Sequence, residues 1–413
     1  MRFSSPDIVG VKGEDLKGCK IALCLTGSVA VVKSPELARE LKRYGAEVYA
    51  FMSQAAIKLI SPMLMEWATG NPVVTELTGA VEHIAMAGEH SERTDLVIVA
   101  PATANTIGKV AAGIDDTSVT TLLSTALGSG VPILIAPAMH ESMYKHPIVR
   151  ENIEKLRGLG IHFVGPKIVE GKAKIADIED IVEMAIRILR EPKDFEGKRI
   201  LLTAGPTIER LDPVRILTNK SSGKMGMAIA KAALRRGAEV TIIYGPGTAT
   251  PPFGAKVLRV ESGREMYDAV VSELRKTRYD IAIATAAVVD WFPEESFKYK
   301  VSSRAMPEME IKLKATPKIV DVIKQVCPDI FLVAFRAVYG LSDEEAIERG
   351  YEKLVEANAD LIAVNDLSKK GVGFQVDTNE VFIVDKEKNV VHVPLSPKSV
   401  VAEKLLDIIV EKL

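Results

Sequence analysis

The chain has 413 residues, of which 47% are hydrophobic, 26% are charged and 5% are aromatic, and its net charge is −2. This length predicts two or three domains with full hydrophobic cores. The near-neutral charge and the few aromatic residues argue against nucleic-acid or membrane binding. The chain has three cysteines, none in a C-x-x-C motif, and no apolar run approaches 18 residues. We therefore expect a cytoplasmic protein without structural disulfides or a thiolate metal site.

Short apolar runs alternate with helical patterns along the whole chain, which predicts parallel α/β layers. A charged segment broken by proline near residue 192 separates two such series. We therefore predict two Rossmann-like three-layer α/β domains, over residues 1–191 and 192–413. Strands of the first domain are predicted at 21–25, 47–52, 96–100, 132–136 and 162–164. Strands of the second are predicted at 200–203, 239–244, 256–260, 281–284, 330–335, 361–364 and 381–384.

Helix signals lie between these runs. Ser34 is predicted as an N-cap, with Pro35 at the first helical position and Gly45 after the helix. A last helix is predicted over residues 397–413.

Small residues follow three strands of the first domain, at the strand ends where ligands bind in open α/β sheets. The motifs are TGSVA at 26–30, PATANT at 101–106 and APAM at 136–139. Such loops suit a phosphate beside a flat apolar slot, as in mononucleotide or flavin binding. Together they resemble the homo-oligomeric flavin-containing cysteine decarboxylases, a family that includes phosphopantothenoylcysteine decarboxylase. The resemblance implies FMN bound by Gly27, Ser28, Ser53, Thr103, Ala104 and Met139.

The same resemblance implies catalytic residues. His83 matches the family's catalytic histidine, and Asn105 would orient the substrate carboxylate or cap a helix. In this chemistry the flavin oxidises the cysteinyl thiol to a thioaldehyde, so that carbon dioxide can leave. Bacterial members then use a reactive flap cysteine in the final reduction, but residues 165–177 of this chain contain none. The alternative acids for this step are His140, Lys172 and Lys174, and a second hypothesis is a domain that binds flavin without catalysis.

In the second domain, one stretch carries most of the chemistry. Residues 201–226, LLTAGPTIERLDPVRILTNKSSGKMG, run from a predicted strand through a Gly-, Ser- and Thr-rich loop into a helix. Unpaired N–H groups and the helix dipole at such a junction favour an anion. The stretch is not a Walker A motif, and the chain has no G-x-G-x-x-G fingerprint. The missing fingerprint argues against a dinucleotide-dependent oxidoreductase, which is an alternative for the whole chain.

The blocks TAGPT, DPVR and TNKSSGKMG, in this order, resemble the signature of phosphopantothenoylcysteine synthetases, the ligases that join phosphopantothenate to cysteine. The resemblance implies an acyl-nucleotide intermediate, Mg²⁺, and CTP as in the bifunctional relatives, although no spacing distinguishes CTP from ATP. The catalytic residues that it implies are Asn219 and Lys298 or Lys300. The nucleotide- and substrate-binding residues that it implies are Gly205, Thr207, Arg215, Ser221, Ser222, Gly223, Lys224, Asp290, Phe335, Asn365 and Asp366.

The two resemblances together imply a bifunctional enzyme of coenzyme A synthesis. The second domain would ligate 4'-phosphopantothenate with cysteine, and the first would decarboxylate the product to 4'-phosphopantetheine. The alternative is a working ligase fused to a non-catalytic flavin-binding domain. Relatives assemble their flavin domains as trimers and their ligase domains as dimers, so we expect this chain to form a homo-oligomer, namely a dodecamer. We expect its other partners to be small molecules.

Overall fold

The computed structural model describes residues 8–169, 172–190, 193–302 and 308–413, without the side chains of residues 168, 169 and 172. The chain divides into two compact units, Met1–Glu191 and Pro192–Leu413. Each strand predicted from the sequence is present in them, with ends shifted by a few residues at most. Two α/β units with largely parallel sheets confirm the predicted fold class. Among the residues that the structure describes, every helix is too short or too polar to span a bilayer.

The first unit is built on five parallel strands in the order β2-β1-β3-β4-β6. This is the flavodoxin-like order, in which the winding direction changes between β1 and β3. The five strands are β1 (Lys20–Leu25), β2 (Glu47–Met52), β3 (Leu96–Ala102), β4 (Ile133–Pro137) and β6 (His162–Phe163). A small antiparallel sheet contains β5 (Met139–His140), β7 (Lys167–Val169) and β8 (Lys172–Lys174). The helices are α1 (Ser34–Arg43), α2 (Gln54–Ile57), α3 (Pro62–Thr69), α4 (Glu82–Ala87), α5 (Ala104–Ala112), α6 (Ser118–Gly128), α7 (Glu141–Tyr144), α8 (Pro147–Gly158) and α9 (Ile178–Leu189).

Both faces of this sheet are covered. Ala22 and Cys24 of β1 belong to a buried cluster with α5, α6 and α8. Because side chains alternate along a strand, Ile21, Leu23 and Leu25 point to the opposite face, and they are fully buried as well. The β1 run is therefore apolar throughout, as expected for a parallel strand between two layers of helices.

The prediction that Ser34 caps α1 is wrong. A 3₁₀ helix, Val29–Lys33, leads directly into α1, so Lys33 is at the N-cap position and Ser34 is already helical. The Ser34 hydroxyl is buried and donates to the carbonyl oxygen of Ala100 at 3.0 Å. This hydrogen bond ties the start of α1 to the end of β3.

The second unit contains an eight-stranded sheet in the order β13-β12-β9-β14-β17-β18-β19-β20. Its first six strands are parallel in the dinucleotide-fold order, and the last two are antiparallel. These strands are β9 (Arg199–Ala204), β12 (Glu239–Tyr244), β13 (Lys256–Arg259), β14 (Ile281–Ala284), β17 (Phe331–Val338), β18 (Leu361–Asp366), β19 (Thr378–Asp385) and β20 (Val390–Pro397). Two hairpin sheets pair β10 (Ile208–Arg210) with β11 (Ile216–Thr218), and β15 (Trp291–Pro293) with β16 (Leu313–Ala315).

Five helices cover this second sheet: α10 (Lys224–Arg235), α11 (Gly263–Lys276), α12 (Ile319–Val326), α13 (Asp343–Glu356) and α14 (Lys398–Lys412). Apolar residues of α10 and α14 pack in one cluster, and those of α11, α12 and α13 pack in another. Strand β20 was not predicted because Pro394 and Pro397 disfavour a strand. It lies at the sheet edge, where proline is tolerated.

Candidate active sites

The first unit contains a cavity of about 600 Å³ where β1 and β3 end. It therefore lies at the change of winding direction, where ligands bind in doubly wound sheets. Thr26, Gly27 and Ser28 follow β1, and Ser53 follows β2. Thr103, Ala104 and Asn105 follow β3 and complete this polar wall.

Hydroxyl-capped helix starts surround the cavity. Thr103 Oγ1 accepts a hydrogen bond from the Thr106 amide at 3.2 Å at the start of α5. Thr117 Oγ1 accepts one from the Thr120 amide at 3.1 Å at the start of α6. Ser53 caps the short helix α2 in the same way. Because unpaired N–H groups and the positive helix ends meet in one cavity, an anionic group such as phosphate is favoured.

Close packing holds these loops together. A Cβ atom on Gly27 would lie 2.5 Å from the Cβ of Ala55, so only glycine fits between the β1 and β2 loops. Thr26 Oγ1 donates to the carbonyl oxygen of Pro101 at 2.7 Å and accepts from the Thr103 amide at 3.1 Å. The anion-binding loops of three strands are therefore fixed before any ligand binds.

The lining of this cavity also contains apolar side chains. Val119, Ala138, Met139 and Met143 line it. Thioether side chains adapt well to a flat aromatic surface. A cavity whose lining combines hydroxyls, helix starts and methionines fits an aromatic ring system that carries a phosphate.

The predicted catalytic residues of this unit lie in different places. Asn105, the second residue of α5, lines the cavity. His83 lies on α4 outside the cavity lining, and its Nδ1 is buried without a hydrogen-bond partner among the described residues. His140 is exposed, and its Nδ1 lies 2.9 Å from Ser142 Oγ at the start of α7. Of His83, Asn105 and His140, the structure brings Asn105 into the described lining of this cavity.

The cysteines of this unit do not reach the cavity. Cys24 is fully buried in β1, and burial raises the pKa of its thiol. Cys19 precedes β1, and burial also raises the pKa of its thiol. Of the two flap lysines, Lys174 ends β8, and the side chain of Lys172 lies outside those that the structure describes. A thiol with a raised pKa is a poor nucleophile at neutral pH, and neither cysteine belongs to the described cavity lining.

The second unit contains a cavity of about 650 Å³ at the carboxyl ends of its parallel strands. Thr203 of β9, Ala284 of β14, Phe335 of β17 and Asn365 of β18 line it. The winding direction changes between β9 and β14, so this cavity also occupies the expected ligand-binding edge of its sheet.

The N-terminus of α10 forms one wall of this second cavity. Gly223 precedes the helix with φ +84°, a left-handed conformation that favours glycine. Ser221 and Gly223 line the cavity, and so does Lys224, the first residue of the helix. Ser222 is buried behind them, where its hydroxyl donates to the carbonyl oxygen of Phe374.

Five cationic side chains belong to the lining of this cavity: Lys224, Lys318, Arg336, Lys353 and Lys398. Lys318 pairs with Asp290, and Lys224 Nζ donates to Asp377 Oδ1 at 2.6 Å. Lys398 is 6% exposed, and burial, with a contribution from the positive charge of Lys224, lowers its pKa to about 8. This distribution of charge suits a polyanionic ligand.

The loop that precedes the cavity is held by Asp212, which is 2% exposed. Burial alone would raise the pKa of its carboxyl. Hydrogen bonds from the Val214 and Arg215 amides at 2.7 and 2.8 Å, from the Arg215 guanidinium, and from the Val301 amide outweigh burial and lower the pKa to about 2. Arg215 also donates to the carbonyl oxygen of Val301 at 3.0 Å. Asp212 and Arg215 therefore join residues 212–215 to the chain at Val301.

Comparison with known families agrees with this two-site arrangement. The family model "Flavoprotein" matches residues 10–190, and the model "DNA/pantothenate metabolism flavoprotein C-terminal domain" matches residues 195–413. The coenzyme A biosynthesis bifunctional protein CoaBC of Thermococcus kodakarensis is 49% identical over 400 residues, 97% of each chain. The chain belongs to the CoaBC family. The CoaBC proteins of Methanocaldococcus jannaschii and Bacillus subtilis are 39% and 37% identical over 91% and 95% of this chain and over 90% and 96% of their own.

Membership of the CoaBC family confirms both resemblances drawn from the sequence, one in each half of the chain. It also rules out the alternative of a dinucleotide-dependent oxidoreductase. The flavoprotein model covers the unit with the methionine-lined cavity, and the pantothenate-metabolism model covers the unit with the cationic cavity.

The structure gathers many of the predicted site residues. In the first unit, all the predicted flavin-binding residues line one cavity: Gly27, Ser28, Ser53, Thr103, Ala104 and Met139. In the second unit, the predicted residues that line the cavity are Asn219, Ser221, Gly223, Lys224, Asp290, Phe335 and Asn365. The predicted residues outside that lining are Gly205, Thr207, Arg215, Ser222, Lys298, Lys300 and Asp366.

Several of the outlying residues have clear structural roles. Thr207 is fully buried, and its hydroxyl accepts from the Val289 amide at 2.9 Å. Asp366 Oδ1 accepts from the amides of Gly340 and Ser368 at 3.0 and 2.8 Å. Lys298 and Lys300 are exposed, shortly before the undescribed residues 303–307. Thr207 and Asp366 therefore hold the loops around the second cavity.

Sequence reasoning assigned no role in the site to four cationic residues of the lining, Lys318, Arg336, Lys353 and Lys398, or to the polar residue Asn379. The positions of two of these lysines at helix starts could have indicated that they bind a ligand. Lys318 is the N-cap of α12, and Lys398 is the first residue of α14. The helix dipole disfavours a cation at a helix start, so a lysine there suggests a local anion.

Proposed function

We propose that this chain catalyses two consecutive steps of coenzyme A biosynthesis. The second unit ligates 4'-phosphopantothenate with cysteine, using CTP, and the first unit decarboxylates the product with FMN to give 4'-phosphopantetheine. The observation that carries the proposal is the second cavity, in which the predicted loop of residues 219–224 meets Asp290, Phe335 and Asn365. Three free cysteines fit a cytoplasmic location.

In the ligase reaction, a carboxylate oxygen of phosphopantothenate attacks the α-phosphorus of CTP. An acyl-cytidylate forms and pyrophosphate leaves. The cysteine amine then attacks the acyl carbon, so that the amide forms and CMP leaves. Lys224, Lys318 and the start of α10 would neutralise the charge that develops on the phosphates.

Asn219 has a position suited to the second step. Its Nδ2 donates to the carbonyl oxygens of Ala287 and Val288 at 3.1 and 3.0 Å, and the residue lines the cavity. Because both amide protons are used, its Oδ1 is the group that faces a ligand as an acceptor. We assign Asn219 Oδ1 to hold the attacking amine.

Mg²⁺ would enter this site with the nucleotide. No group of three or more His, Cys, Asp or Glu side chains that could hold a metal is found within residues 8–169, 172–190, 193–302 and 308–413. Magnesium commonly binds substrate phosphates and water with few protein ligands. A nucleotide-bound ion therefore fits the described lining.

The lining of the first cavity fits FMN: the capped helix starts would hold its phosphate, and Met139 and Met143 would contact its ring. When bound, FMN supplies two-electron oxidation of the cysteinyl thiol, which makes loss of carbon dioxide possible. Asn105 would orient the substrate carboxylate from its place on α5. His140 or a flap lysine would return a proton to the product.

His83 is proposed to act in the cavity of a neighbouring protomer. It lies outside the cavity of its own chain, and its Nδ1 is a buried polar atom without a partner among the described residues. Such an atom is costly unless something binds it. A homo-oligomer with flavin domains in trimers and ligase domains in dimers, and hence a dodecamer, would supply that contact.

One product assay tests both halves. The purified protein is given phosphopantothenate, cysteine, CTP and Mg²⁺, and pyrophosphate and carbon dioxide are followed separately. Release of both products supports the bifunctional proposal. Pyrophosphate without carbon dioxide would reduce it to a ligase with a non-catalytic flavin domain, and absence of pyrophosphate would refute the ligase assignment. Replacing CTP by ATP in a parallel reaction identifies the nucleotide.

A further inference from the structure

Lys398 is a charged side chain buried in the wall of the ligase cavity. It is the first residue of α14 and lines the cavity, although only 6% of it is exposed. Its Nζ donates to the carbonyl oxygens of Gly373, at 2.9 Å, and Val376. Both acceptors are neutral. Since an ammonium group has three N–H donors, one donor has no acceptor among the described residues.

This placement is unfavourable for a protein without a ligand. A buried charge destabilises the fold unless an opposite charge compensates it. The positive end of the α14 dipole adds to that cost. The neighbouring residues of the helix, Ser399 and Val400, carry no negative charge. A buried lysine in such a position is therefore expected to act on an anion that enters the cavity.

The nearest charged groups support this reading. Lys224 and Lys398 bind carbonyl oxygens of the same loop, at Gln375 and at Gly373 and Val376 respectively. Lys224 Nζ donates to the carbonyl oxygen of Gln375 at 2.9 Å and to Asp377 Oδ1. The Asp377 side chain is 87% exposed, so this ion pair is a weak surface pair. A phosphate group could therefore replace the Asp377 carboxylate as the partner of Lys224 with little loss of interaction free energy.

We propose that Lys398 binds a phosphate group of the ligase substrates, together with Lys224. The inference rests on the proposed ligase function and adds a binding residue that the sequence motifs did not identify. Ser221 and Gly223 at the start of α10 line the same cavity and offer further donors. Two substrates carry such a group, CTP through its triphosphate and phosphopantothenate through its phosphate ester.

Lys398→Met tests the proposal because methionine keeps an unbranched side chain and removes the charge. The control is Lys404→Met, an exposed lysine six residues later on α14 and outside the cavity. Binding to the full-length protein is measured by calorimetry with four probes: CTP, inorganic tripolyphosphate, cytidine and 4'-phosphopantothenate. We expect Lys398→Met to weaken the binding of at least one phosphate-bearing substrate about 10- to 100-fold. Cytidine binding and every affinity of Lys404→Met should stay at the wild-type value.

The probes separate the possible results. Weaker binding of CTP and tripolyphosphate assigns Lys398 to the nucleotide, and weaker binding of phosphopantothenate alone assigns it to the second substrate. Unchanged affinity for all phosphate-bearing probes would overturn the proposal. An equal loss for cytidine would also overturn it, because Lys398 would then only support the loop of residues 373–376. Failure of the wild-type protein to bind CTP and phosphopantothenate would instead refute the ligase function itself. If Lys398→Met does not fold, Lys398→Gln, which keeps a donor for the loop carbonyls, replaces it.

Discussion

The two cavities of this chain lie at equivalent edges of two parallel sheets, yet they are built from different groups. In the first, helix starts capped by Ser28, Ser53 and Thr103 are combined with apolar side chains. In the second, lysines from three helix starts, with Arg336 and Lys353, surround a single polyanion-sized space. The first arrangement suits a cofactor that stays bound, because the helix dipoles at the anion are fixed and Lys109 is the one cationic side chain in the described lining.

The second arrangement suits substrates that bind and are released in each turnover. Lysine side chains are flexible and their ion pairs at the surface are weak. Lys224 and Lys318 are both paired with carboxylates, Asp377 and Asp290, which a nucleotide could displace. We infer that one site is organised in advance by local packing, whereas the other exchanges internal ion pairs for substrate contacts. The following variants test this difference.

The largest effect is expected from removing His83. His83→Gln should reduce carbon dioxide release about 10²- to 10⁴-fold, since a positioned general acid or base contributes that much. The bound flavin and its absorbance should remain, because the variant leaves unchanged the residues that would hold the cofactor, such as Gly27 and Thr103. Decarboxylase rate and flavin absorbance are measured on the same preparation.

A mixed oligomer controls this experiment. Asn105→Ala should also be inactive, because Asn105 lines the cavity itself. If His83 acts in a neighbouring protomer, co-expressed His83→Gln and Asn105→Ala chains recover part of the activity. No recovery would contradict a site shared between chains.

The next effect concerns Lys298 and Lys300, which lie outside the described cavity wall. If the ligase assignment holds, Lys298→Ala or Lys300→Ala should lower pyrophosphate release about 10²- to 10³-fold, since the lost charge stabilises the transition state. Lys312→Ala, on a nearby exposed lysine paired with Glu294, is the matched control. Full activity of both variants would show that the cationic wall alone supports ligation, and would remove the two lysines from the catalytic set.

The sequence predicts the first cavity more completely than the second, and the difference in how the two cavities are built explains why. Gly27 and Thr103 belong to short motifs directly after strands, and local rules about strand ends and helix caps suffice to place them. Lys353 and Lys398 come from elements far along the chain that meet the cavity only through the sheet order. Periodicity predicts those helices but not which residue faces a ligand, so these lysines could not be assigned from motifs.

Gly27→Ala is expected to weaken flavin binding about 10-fold. The new Cβ would lie 2.5 Å from the Cβ of Ala55, so the β1 and β2 loops must separate at the cofactor wall. Flavin absorbance after dialysis gives the result, and pyrophosphate release should be unchanged because the ligase cavity lies in the other unit. Gly128→Ala is the control, since a Cβ there meets no atom within 4 Å. Full retention of flavin by Gly27→Ala would contradict the close-packed wall.

The smallest effect tests whether the loop before the ligase cavity is also organised in advance, despite the mobile lysines. The Asp212 carboxyl has a pKa of about 2, below its ordinary value of 3.8. A lowered pKa means that the unfolded chain binds the proton more tightly, so this group stabilises the fold fully above about pH 4 and progressively less between pH 4 and 2. Asp212→Asn should lower the thermal midpoint of the second unit at pH 7 and flatten its fall below pH 4. Asp268→Asn, an exposed carboxylate on α11, should leave both unchanged. If Asp212→Asn behaved like that control, the loop would not depend on the buried carboxylate, and the ligase site would be flexible in its backbone as well as in its lysines.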